Sequence, residues 1–241
     1  MPRLADTPAR RELVVDSLGV GVATGAYGVS FGAIAVTSGF SVWQTCALSL
    51  LVFTGASQFA LVGVIASGGT PLSGAVTALM LGSRNTLYGL KVASLLRVRG
   101  VRRLVAAQLL IDESTAMALK PADRRDAPLG FFTTGIAVFV LWNLATTVGA
   151  LAGEVIGDPA VYGLDAAVPA AFLALVWPQL TDLNARMTAV AAAALALTLV
   201  PVTRPGVPVI AAAGVALVSG VLASRRSGTV EPARGDTGVE R

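Results

Sequence analysis

The chain contains no histidine and one cysteine, Cys46. An intrachain disulfide is therefore excluded, as are Cys/His zinc clusters, haem-attachment motifs and a Ser-His-Asp hydrolase triad. Charge is scarce too, at 13% of residues against about 25% in soluble domains. From Ser17 to Ser83 there is no Asp, Glu, Lys or Arg at all. A bilayer core of about 30 Å takes roughly 20 apolar residues per helical crossing, so this stretch holds about three passes. With 54% hydrophobic residues and a mean hydropathy of +0.73, the chain reads as an integral membrane protein. The sequence predicts an all-α, polytopic helical membrane protein with about six to eight transmembrane or re-entrant segments.

The formal net charge is +4. Its basic residues lie beside apolar segments, as on the cytoplasmic flanks of membrane helices, so a lipid bilayer and not nucleic acid is the expected surroundings. No phosphate-cradling loop is present, because the glycines of GVGVATGAYGVSFGAIAVTSG follow no strand and precede no lysine. Instead Gly21, Gly25, Gly28 and Gly32 recur at spacings that put them on one helix face, which permits close helix packing. The apolar run after the N-terminus is too long for a signal-peptide core and is expected to be an uncleaved first membrane helix.

Glycine, proline and charge divide the chain into apolar segments near 18–38, 42–66, 72–96, 104–119, 128–153, 165–181, 186–201 and 206–224. Around them, 1–16 is expected to be a cytoplasmic arm, 17–224 the transmembrane domain and 225–241 a disordered cytoplasmic tail. Two topologies fit. If every segment crosses, about eight crossings leave Arg97, Arg99, Arg102 and Arg103 outside. If 42–66 dips in and returns, and 104–119 does not cross, about six crossings put every basic cluster on the cytoplasmic side. The second is preferred. Thr54-Gly55-Ala56-Ser57-Gln58 interrupts the apolar run of 42–66. Irregular backbone at membrane depth must be buried in protein or line a cavity, and transporters use such breaks as binding sites. Close packing of small residues is the alternative for Gly55 and Ser57. An inverted repeat is a candidate organisation, pairing 42–66 with 165–181, each preceded by a glycine-rich helix.

Few polar residues interrupt the apolar segments. Arg84, with Asn85 beside it, lies within LMLGSRNTLYGL. It is read either as a guanidinium retained in the interior to hold an anion or as a side chain snorkelling to headgroups. Gln58 is read as a helix–helix hydrogen-bonding residue or a ligand. Asp112 and Glu113 interrupt LVAAQLLIDESTAMAL, where carboxylates could bind a proton or an ammonium group, or face water beside Arg102 and Arg103. Asn143 stands out among the threonines of FFTTGIAVFVLWNLATTVGALAG, and Asp165 opens the last polar candidate segment as an N-cap or a coupling residue. No metal site and no cofactor is expected. A membrane enzyme or a non-transporting scaffold is the alternative class; the absence of histidine counts against the enzyme.

Taken in order, FGAIAVTSGFS, LLVFTGASQFALVG, SRNTLYGL, LLIDESTAMAL and YGLDAAVPAAFLALVWPQL resemble the AzlC-like family of branched-chain amino acid exporters. Many members carry N-L-R around the arginine, whereas here Gly82 precedes Arg84 and Asn85 follows it. The resemblance implies a bacterial plasma-membrane transporter, not an enzyme. It would export leucine, isoleucine, valine and methionine with a small hydrophobic AzlD-like subunit, driven by proton exchange. On that expectation Arg84, Asn85, Gly55, Ser57, Gln58 and Asn143 line the transport path, and Asp112, Glu113 or Asp165 handles the proton or the substrate ammonium.

Overall fold

The computed structural model describes residues 7–156, 173, 176–177, 180–203 and 207–227. Asp165, Pro169 and Pro178 lie outside the described residues, as does 228–241 of the expected tail. The described residues form helices and no strand. They fall into two compact units, Met1–Pro178 and Gln179–Arg241.

Two helices of 30 residues each, α1 (Pro8–Thr37) and α8 (Ala127–Ile156), form the spine of the first unit. At 1.5 Å per residue each is about 45 Å long, enough to cross a bilayer. Helix α1 begins inside the stretch expected to be an arm, where the Thr7 hydroxyl caps it by accepting from the Arg10 amide and Pro8 occupies its first turn. The predicted glycine face is the contact with α8. A Cβ added at Gly28 would lie 2.5 Å from the Trp142 carbonyl oxygen, and one at Gly32 would lie 2.0 Å from that of Thr146. Gly149 of α8 fits against Val29 in the same way. Gly21 meets Ala137, Gly25 meets Leu141 and Gly32 meets Thr146, so the two helices run parallel. An inverted repeat therefore does not relate these two helices. At the end holding their N-termini, here the near end, Arg10 pairs with Asp126 at 2.7 Å and Lys120 with Asp16. The Asp16 carboxylate holds the Lys120 ammonium above its ordinary pKa.

Between the long helices the chain folds as short helices that do not cross on their own. Helices α2 (Val42–Leu51) and α3 (Ala56–Ala66) have 10 and 11 residues, roughly 15 Å each. Ser41 and Gln44 form a capping box that starts α2 at the far end. Cys46 then meets Thr147, Ser49 meets Thr146, and the Phe53 ring lies 5.0 Å from that of Phe139. Helix α2 thus descends antiparallel to α8 as far as its middle. The chain turns at 52–55, with Gly55 at φ +62°, a conformation that suits glycine. Helix α3 climbs back: Phe59 packs against Phe31 and Trp142.

Helices α4 (Pro71–Gly82) and α5 (Arg84–Leu96) then run from the far end to the near end, interrupted at Ser83. Gly74 packs on Leu61 and Gly82 on Ser57, which makes α4 antiparallel to α3. Val92 and Leu96 of α5 share a core cluster with Phe131, near the start of α8. Helix α6 (Val101–Gln108) rises from the near end until Leu109 meets Gly135. After a break at 109–111, α7 (Asp112–Leu119) descends to Met117 against Gly130 and Lys120 against Asp16. Two V-shaped segments therefore enter from opposite ends and meet halfway. This is the arrangement preferred from the basic clusters, with neither 42–66 nor 104–119 crossing. Arg97, Arg99, Arg102 and Arg103 fall at the near end with Lys120.

In the second unit α9 (Leu183–Leu199) and α10 (Val207–Ser227) pack on each other. Asp182 caps α9 by accepting from the Ala185 amide at 2.7 Å.

Candidate functional site at the meeting of three helix breaks

Each interruption leaves backbone groups that a continuous helix would have paired, and at membrane depth they need partners. Side chains supply them. Gln58 Nε2 donates to the Leu48 carbonyl at 3.2 Å, while its Oε1 accepts from the Gly55 amide at 3.2 Å. The fully buried Gln58 amide thus ties the end of α2 to the start of α3. Gln108 Nε2 donates to Leu50 O at 2.8 Å, joining the apex of one V to the apex of the other. On the second V, Asn85 Nδ2 donates to Leu110 O at 3.1 Å, and the buried Ser114 hydroxyl donates to Leu109 O at 2.7 Å while accepting from the Ile111 amide.

Arg84 opens α5 at this height, and its Nη2 lies 2.7 Å from Oδ2 of Asp112, which opens α7. Asn85 and Gly89 hold α5 against Leu110, two residues before Asp112. The two side chains keep 38% and 41% of their surface exposed, so the pair sits at an opening and not in sealed core. Asp112 Oδ1 is nonetheless enclosed, and has no hydrogen-bond partner among the described residues. The Tyr88 phenol, one turn along α5 from Arg84, faces the same carboxylate. Glu113 points elsewhere, half-buried toward Thr24 of α1. Since Gly21 and Gly25 meet Ala137 and Leu141, this is the middle of the spine. Ser57, in the first turn of α3, is 1% exposed, and its hydroxyl lacks a hydrogen bond among the described residues.

The residues singled out in the sequence thus divide. Arg84, Asp112, Glu113, Ser57 and Gly55 gather around the breaks. Gln58 and Asn85 are there too, with amide groups committed to backbone. Asn143 stands on α8 apart from the pair; its Nδ2 donates to Phe139 O at 2.8 Å and its Oδ1 is enclosed without a partner among the described residues. Asp165 lies outside the described residues. Gln108, Tyr88, Thr24 and Ser114 were not singled out. Gln108 had a signal, an amide in the apolar run just before Asp112; Tyr88 and Thr24 had none.

The model of the AzlC protein family matches residues 19–156, which contain α2 to α8, most of α1 and every residue of the arrangement just described. The chain belongs to the AzlC family. An uncharacterized membrane protein of Archaeoglobus fulgidus is 33% identical over 76% of this chain and 81% of its own length. The inner membrane protein YgaZ of Escherichia coli is 28% identical over 83% of this chain and 84% of its own. The branched-chain amino acid transport protein AzlC of Bacillus subtilis is 25% identical over 63% of this chain and 60% of its own. No solved structure matches. Family membership, relatives named as membrane proteins and two helices long and apolar enough to cross establish a helical membrane protein of AzlC type.

Proposed function

We propose that this AzlC-family chain exports branched-chain amino acids, leucine, isoleucine and valine with methionine, across a bacterial plasma membrane. It acts as a secondary transporter, not an enzyme, and as the large subunit beside a small AzlD-like partner. The near end, with its arginines and Lys120, is cytoplasmic by the positive-inside rule, so the N-terminus is cytoplasmic too. The observation that carries the reading is the Arg84–Asp112 pair at mid-height, where three broken segments converge. Ionisable groups at that depth are costly and mark substrate paths, and half-helix ends at the membrane midplane are where secondary transporters bind their cargo. The printed name of the Bacillus subtilis relative supplies the substrate class.

In this reading Arg84 holds the substrate carboxylate through its planar fork, Asp112 lies beside the substrate, and Glu113, facing Thr24, exchanges the proton. Gly55 and Ser57 contribute the first turn of α3, and Gln58, Asn85 and Asn143 hold the surrounding backbone. The test uses cells lacking their own exporters, loaded with labelled leucine from a dipeptide, with and without this chain and a small partner subunit. Release above the control is expected, and Arg84→Ala reduces it to the control level while the protein remains in the membrane in normal amount. Equal release with and without the chain overturns the export assignment.

A further inference from the structure

We infer that the Arg84–Asp112 pair is the unliganded form of a zwitterion site: an α-amino acid splits it, its carboxylate taking Arg84 and its ammonium taking Asp112. The inference rests on the transport reading above and deepens it, because it makes both charges of the ligand obligatory.

The two partners belong to different broken segments. Arg84 begins α5, and Asp112 begins α7 at the apex of the second V. The bond between them at 2.7 Å leaves each charge satisfied by the other and leaves no room for a ligand to bridge them in place. A ligand must therefore come between them. A carboxylate alone would satisfy Arg84 and abandon Asp112, and an amine alone would do the reverse. An ion left without its partner loses a charge-assisted hydrogen bond, which is about twice as strong as a neutral one. A zwitterion carries both charges on one carbon and restores both pairs, and the net charge of the site does not change.

The surroundings agree with that polarity. Arg84 stands in the first turn of α5, and its planar fork suits a carboxylate. The first turn of α3 adds the Ser57 hydroxyl, buried and without a hydrogen-bond partner among the described residues. On the other side Asp112 Oδ1 is enclosed and has no hydrogen-bond partner within bonding geometry among the described residues, an acceptor for a second ammonium hydrogen. Tyr88 faces that carboxylate. The partial exposure of both side chains gives the ligand a way in. Glu113, turned toward Thr24, does not touch it.

The full-length chain in lipid nanodiscs, binding labelled L-leucine, tests this by competition with three probes: unlabelled leucine, its 2-oxo acid 4-methyl-2-oxopentanoate, and 3-methylbutylamine. A charge-assisted hydrogen bond corresponds to about 10- to 100-fold in affinity, so the oxo acid and the amine are each expected to compete that much more weakly than leucine. Asp112→Asn should reverse the order and make the oxo acid at least the equal of leucine, while Asp112→Glu keeps the preference for leucine. Equal competition by the oxo acid against the unmodified chain overturns the zwitterion site. So does an Asp112→Asn variant that still prefers leucine. If Asp112→Asn does not fold, competition on the unmodified chain decides alone. Leucine binding that survives Arg84→Ala unchanged overturns the transport reading itself, and this inference with it.

Discussion

Replacing Gly32 by alanine tests the seam that carries the whole first unit. The added methyl would lie 2.0 Å from Thr146 O and 2.6 Å from the Ala150 amide nitrogen, both backbone atoms that cannot rotate away. A comfortable carbon–oxygen contact is about 3.3 Å, so α1 and α8 must separate by roughly 1.3 Å at that point. A gap of 0.5–1 Å already forfeits a quarter to a half of each dispersion contact it opens, and Phe31, Ile34 and Ala35 pack close by. Overpacking of this kind costs about 1–3 kcal/mol where side chains can yield, and backbone against backbone belongs at or above the top of that range. At roughly 2–4 °C per kcal/mol for a chain of this size, Gly32→Ala should lower the melting temperature of the purified protein in detergent by about 6–12 °C. Gly19→Ala supplies the control. It lies on the same helix with nothing within 4 Å, so the substitution should be neutral or slightly stabilising, since alanine is the better helix former. Equal melting temperatures for the two variants would refute the close parallel seam.

The opposed V-shaped segments are tested by cysteine labelling after Cys46→Ser. Arg99→Cys and Asp123→Cys are expected to label from one face of the membrane, and Ser67→Cys from the other; labelling of positions 67 and 99 from the same face would contradict this topology. Gln58→Leu deprives Leu48 O and the Gly55 amide of their partner, at about 1–3 kcal/mol for each buried group left unpaired. Thermal unfolding should show the loss, whereas a variant as stable as the unmodified protein would mean that the amide does not staple the break.

Much of this architecture was legible because membrane burial writes itself into composition. The glycine spacing announced a helix seam, and Thr54–Gln58 announced a break, since a bilayer leaves irregular backbone few explanations. The partner of Arg84 was not legible. Asp112 lies two helices and a second break away, and only the rise of α6 from the near end to the apex brings its carboxylate to α5. Asn85 and Gln58 show an ambiguity of another kind. An amide beside a charge or inside a break looks the same in sequence whether it serves a ligand or a carbonyl, and the structure gives both to backbone carbonyls.

The apices of the two V-shaped segments are joined by a side-chain amide, Gln108 on the Leu50 carbonyl, with no helix running through the junction. Parting them breaks the Gln108–Leu50 bond, at about 1 kcal/mol for a neutral hydrogen bond, and unwinds no turn of helix. Against a spine locked by glycine, the molecule has a stiff post and a latch weak enough for thermal motion to lift.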